Sequence, residues 1–97
     1  MHVGLCRIQL RLAESGSLKD KRQVFRSVSS RVRGRFNVSV AEVDDNENRR
    51  LLTLGICCVS NNSRHANEML SKAVDYIQSM RLDAELLDYE LEIMSGV

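Results

Sequence analysis

The chain contains no proline and no tryptophan, and only four aromatic residues, Phe25, Phe36, Tyr76 and Tyr89. The lack of proline removes the strongest breaker of regular structure and favours short connections between elements. The scarcity of rings leaves the core to aliphatic side chains. Long apolar runs are missing too. The opening stretch MHVGLCRIQLRL is interrupted by Arg7, Gln9 and Arg11, which excludes a signal-peptide core and a membrane span. Three cysteines without a secretion signal point to reduced thiols and a cytoplasmic setting. The formal net charge of +1 excludes non-specific attraction of the whole molecule to nucleic acid. What remains is an ordinary globular composition, 43% hydrophobic and 28% charged, and 97 residues suit a single domain over 1–97.

Charge is present but unevenly placed. Residues 17–36, SLKDKRQVFRSVSSRVRGRF, hold seven of the fourteen Lys and Arg residues against one carboxylate, Asp20, a net +6. Residues 82–97 hold Asp83, Glu85, Asp88, Glu90 and Glu92 and no basic residue, a net −5. Such separation makes a strong dipole, which orients charged partners.

Hydrophobic periodicity places the elements. Residues 2–12 alternate, with Cys6, Ile8, Leu10 and Leu12 on one side, which predicts a half-buried strand. Ser17 opens a helix through a capping box with Asp20. Leu18, Phe25, Val28, Val32 and Phe36 form its apolar stripe, and Gly34 weakens its last turn. NVSVAEV, 37–43, is a second strand whose alternation slips between Val40 and Ala41, so a bulge or twist is expected there. Residues 50–60 are a third strand. Asn61–Ser63 is cap chemistry for a second amphipathic helix reaching about Met80. A last strand turns Leu87, Tyr89, Leu91 and Ile93 inward and Asp88, Glu90 and Glu92 outward. The order βαββαβ predicts an α+β ferredoxin-like plait, a four-stranded antiparallel sheet in order 4-1-3-2 with two helices on one face.

On the first helix, Lys19, Arg22, Arg26 and Arg33 fall within about 60° of one another, beside the apolar stripe. They extend over roughly 21 Å, enough to follow several phosphates. Arg31 and Arg35 lie on the opposite flank. Lys21 falls in the apolar sector, in the first turn, where its stem is expected to carry the amine outward. A solubilising helix face normally interleaves carboxylates, and this one has almost none. The free amides of the helix start suggest a phosphate site, but Asp20 competes for the same donors.

The open sheet face is expected to expose Val3, Leu5, Leu51 and Val59, which suggests pairing with a second copy; scattered surface aliphatics are the alternative. The central strands lack the aromatics on which RNA-recognition plaits stack bases. Cys57 and Cys58 are neighbours on a strand and face opposite sides, while Cys6 and Cys58 suit core packing better than zinc. His65 sits beside Arg64 at a helix start, a surface position that could help hold an anion. No catalytic set, metal-binding set or cofactor motif converges. Acylphosphatases share the plait, but their glycine-rich phosphate loop after the first strand is absent.

SLKDKR, RVRGRFNVSVAEV and LTLGI before VSNN are similar to the YlxP-like family, domain of unknown function 503, over nearly the whole chain. Ser17, Leu18, Lys19, Lys21, Arg22, Arg35, Phe36, Asn37, Val38, Ala41 and Glu42 match its signature. The family often has a tryptophan-containing turn where this chain has Glu47-Asn48-Arg49-Arg50. The resemblance implies the same plait and, from the company its genes keep, a role near ribosome assembly or translation.

The expectation is therefore a cytoplasmic, non-enzymatic accessory protein that needs no cofactor and touches no membrane. It would contact RNA or a ribosomal particle through Lys19, Lys21, Arg22, Arg26, Arg31, Arg33 and Arg35. The rival is a protein-interaction or metabolite-sensing homodimer built through the open sheet face.

Overall fold

The computed structural model describes residues 1–14 and 16–97. The elements follow in the order β1 (His2–Leu12), α1 (Leu18–Arg35), β2 (Ser39–Asp44), β3 (Leu51–Ser60), α2 (Ser63–Ser79) and β4 (Ala84–Ser95). The four strands form one antiparallel sheet in the order β2-β3-β1-β4. This is the ferredoxin-like plait, with β1 and β3 at the centre.

Alternation in β1 explains why one face is sealed. Cys6, Ile8, Leu10 and Leu12 are buried, as are Leu52, Leu54, Ile56 and Cys58 of β3. They share one cluster with Val28 and Val32 of α1 and with Ala66, Leu70, Ala73, Val74 and Ile77 of α2, so both helices cover the same face. α2 packs on β1, β3 and β4, whereas α1 lies against β2 and α2.

Helix α1 begins as its sequence requires. Asp20 N–H donates to Ser17 Oγ at 3.1 Å and Ser17 N–H donates to Asp20 Oδ2 at 3.0 Å, a closed capping box. The Ser17 backbone N–H, and after it the Ser17 hydroxyl, favour the charged form of Asp20 and hold its carboxyl below the usual range. The cap is fully formed above the ordinary carboxylate pKa and is lost as pH falls through the lowered one. α2 is capped in turn by Asn62, whose Oδ1 accepts from His65 N–H at 3.1 Å.

Two bulges depart from simple alternation. The expected slip at Val40–Ala41 is instead at Val43, because the register runs from Glu42 opposite Leu54 directly to Asp44 opposite Thr53. Glu42 therefore faces the helices, and it was the polar residue in a core-facing slot that made the alternation look broken earlier. In β4, Leu86 pairs with Leu10 and Asp88 with Gln9, leaving Leu87 as the extra residue. Leu87 is thus out of phase with Tyr89, Leu91 and Ile93, and Leu86 packs on the core in its place. Tyr89 points to the helix side but stays exposed, since β4 is an edge strand.

Gly4 marks a close helix–sheet contact. A Cβ there would lie 2.6 Å from Leu70 Cδ1 and 2.9 Å from Cys58 Sγ. The substitution Gly4→Ala overpacks this contact and is expected to cost about 1–3 kcal/mol, read from urea denaturation.

Candidate cationic face and buried lysine

The seven cations of α1 do not act as one set. Lys19, Arg22, Arg26, Arg31, Arg33 and Arg35 are exposed, whereas Lys21 is buried. Among the described residues, no carboxylate lies within 4.0 Å of the charged nitrogens of the six exposed ones. Arg33 only leans on Ser29 Oγ at 3.5 Å, one turn back. Arg35 lies over the Tyr76 ring at 4.6 Å, and that ring meets Phe36 edge-on, so its guanidinium is partly engaged.

Lys21 corrects the expectation that its stem would carry the amine to solvent. Its Nζ donates to the carbonyls of Asp45 at 2.6 Å and Asn48 at 2.7 Å, with Asn46 O further away at 3.4 Å. Glu42 Oε2 lies 2.8 Å away. That oxygen is buried and has no aligned hydrogen bond, so the contact is a charge pair rather than a directed bond. An ammonium with its protons committed in this way is not available to an outside phosphate. Lys21 is removed from the candidate contact residues and becomes the anchor between α1 and the β2–β3 turn.

The anchored turn has consequences for the surface. Asp45 adopts a left-handed backbone, φ 58°, and its Oδ2 accepts from Thr53 Oγ1 at 2.6 Å. Thr53 is thereby buried although it lies on the open face of the sheet. Arg50 pairs with Glu14 at 3.4 Å. Arg49 and Arg81 line a groove of about 440 Å³ beside the first turns of α1, together with Asp20 and Asp83. Neither Arg49 nor Arg81 forms an ion pair among the described residues. Sequence spacing could not associate these two with the helix, because they reach it from other elements.

At the helix start the capping box takes the N–H groups of Asp20 and Ser17, and the Asp20 carboxylate competes there with any outside anion. His65 and Arg64 are exposed in the first turn of α2. No cluster of three His, Cys, Asp or Glu suited to a metal occurs among the described residues, and no helix is long and apolar enough to cross a membrane. Cys6, Cys57 and Cys58 are free thiols. Burial pushes Cys6 up to about 11 and raises Cys58 as well.

The open face sorts the four residues expected on it. Val3 and Val59 pair directly, and Leu5 lies next along β1, opposite Cys57. Leu51 is opposite Arg11, eight residues along β3 from Val59 and roughly 26 Å away. It does not belong to the same patch, because Arg7, Gln9 and Thr53 lie between. Met94, opposite Val3, joins the patch instead. Its parity with Glu90 and Glu92 carried that information in the sequence.

Removing the anchor should separate structure from surface charge. Lys21→Ala leaves Glu42 buried without its partner and is expected to destabilise by about 3 kcal/mol, whereas Lys19→Ala or Arg26→Ala stays within about 0.5 kcal/mol, all read from denaturant melts. Alkylation of the native protein should label Cys57, which is half-buried on the open face, and leave Cys6 and Cys58 unmodified; peptide mapping reads the result.

The family model "Protein of unknown function (DUF503)" matches residues 3–91, from the first strand into the last. The chain is also 29% identical over 77 residues to the uncharacterized protein YlxP of Bacillus subtilis (strain 168), covering 79% of this chain and 84% of that protein. The family match over residues 3–91 takes in the capped cationic helix, the anchored turn and most of the sheet. The chain belongs to the DUF503 family of proteins of unknown function.

Proposed function

We propose that this chain is a non-enzymatic accessory protein that binds RNA, most simply ribosomal RNA, along the outer face of α1. The observation that carries the reading is the row formed by Lys19, Arg22, Arg26 and Arg33, exposed and without a carboxylate partner among the described residues. Arg31 and Arg35 flank it. Like charges one helical turn apart cost stability, and an external polyanion offsets that cost. Arg49 and Arg81 line the groove at the start of the helix together with Asp20 and Asp83, so the reading rests on the outer row itself.

Phosphate contacts of this kind hold RNA by its backbone and do not read bases. If about four phosphates are neutralised, log affinity falls against log salt with a slope of about −3 to −4. Charge reversal of Lys19, Arg22, Arg26 and Arg33 to Glu is expected to abolish RNA binding and leave the melting temperature nearly unchanged. Electrophoretic mobility shift with an rRNA fragment, together with sedimentation alongside ribosomal particles at low and high salt, reads both. Unaltered binding by the reversed variant would remove the reading.

A further inference from the structure

The open face of the sheet is turned away from α1 and has different chemistry. Register gives its layout row by row, from β3 through β1 to β4. Val59, Val3 and Met94 form one row, Cys57, Leu5 and Glu92 the next, and Gly55, Arg7 and Glu90 the third. The fourth row is Thr53, Gln9 and Asp88. The first rows are apolar and accessible, with Val59 64%, Met94 44% and Leu5 37% exposed. A shallow hollow of about 630 Å³ opens above Gly55 and Ala41, bounded by Leu5, Val43, Glu90 and Glu92.

Along the β4 side runs a column of carboxylates, Glu92, Glu90 and Asp88, with no ion pair among the described residues. Arg7 lies directly opposite Glu90, yet its guanidinium turns the other way to Asp44 at 2.8 Å. Arg11 leans on Glu85 at 3.9 Å. The acidic column is thus left without an internal counter-charge, beside an uncovered apolar platform.

We propose that this face docks a basic amphipathic helix of a partner protein. Its apolar stripe would lie on Val3, Leu5, Val59 and Met94, with a flanking row of Lys or Arg on Glu92, Glu90 and Asp88. The spacings agree. Alternate residues of a strand are about 6.7 Å apart, and helix positions four apart about 6 Å. A helix laid along β4 therefore keeps its cations in step with the carboxylates for three contacts.

A second copy fits less well, for a reason in the same layout. Packed sheets keep their strands within about 30° of each other. A two-fold axis along the strands sets β4 over β2 of the other copy, and an axis across them sets β4 over β4. On this face β2 offers Ser39, Ala41 and Asp44, so neither arrangement supplies the acidic column with a cation.

The probe is a synthetic helical peptide of about 18 residues with leucines on one face and lysines at four-residue intervals beside them. Titrated into the isotope-labelled full chain, it should shift the amide signals of Leu5, Cys57 and Glu92 and leave Arg26 and Arg33 unmoved. The combined variant Asp88→Asn, Glu90→Gln and Glu92→Gln is expected to weaken binding about tenfold with an unchanged circular dichroism spectrum. A matched peptide with glutamate for lysine should leave the signals of Leu5, Cys57 and Glu92 in the unaltered protein unmoved. Equal shifts of Leu5, Cys57 and Glu92 by both peptides, lysine-peptide shifts centred on α1, or a sedimenting dimer dissociated by Val59→Arg would each overturn the assignment. RNA binding by α1 is measured separately and is indifferent to every one of these outcomes.

Discussion

Strand β1 is hydrogen-bonded along both of its edges, to β3 on one side and β4 on the other, and the rest of the structure depends on that register. Because side chains alternate with a period of two, a slip by one residue would exchange the core and open faces of the whole central sheet. The register is held by packing as well as by the ladder. Ile8 and Leu10 are sealed beneath the helices, and Leu70 fits against the backbone of Gly4, where no side chain stands in its way. The open face of the sheet inherits its composition from this one strand and its neighbours.

The same arrangement keeps the two charge populations apart. The cations of α1 point outward from the helix layer, and the carboxylates of β4 point outward from the opposite side of the sheet. A helix diameter and the sheet separate them, more than about 10 Å, which is beyond the Debye length of about 8 Å at physiological ionic strength. They therefore do little to neutralise each other. A nearly neutral protein thus presents a positive surface and a negative one, each suited to a partner of opposite sign. An RNA backbone on one side and a basic helix on the other are compatible, because neither contact covers the other.

Much of this was legible before the coordinates. The strand alternation of residues 2–12, the Ser17–Asp20 capping box and the stripe of Val28 and Val32 led to the correct element order and sheet topology. The slip expected at Val40–Ala41 and the outward Lys21 share one origin. Glu42 is a charged residue at a core-facing position, tolerated because Lys21 reaches it from the helix. Read alone, Glu42 looked like a strand that had slipped, and Lys21 looked like a surface lysine. Each is intelligible only with the other, and they stand 21 positions apart in the chain. Leu51 was grouped with Val59 because they share a strand face, but sharing a face says nothing of the polar rows between.

The amino-acid sequence by itself determined the periodicities, the caps and the unequal distribution of charge, since these depend on neighbours within a few residues. Tertiary structure decided which cations remain free, because the fate of Lys21 depends on three carbonyls and a carboxylate from a distant hairpin. It also decided that Arg49 and Arg81 reach the helix, that Thr53 is closed off by Asp45, and that Arg7 turns from Glu90 toward Asp44. Those choices are made by side chains meeting across strands and layers, where local pattern carries no information.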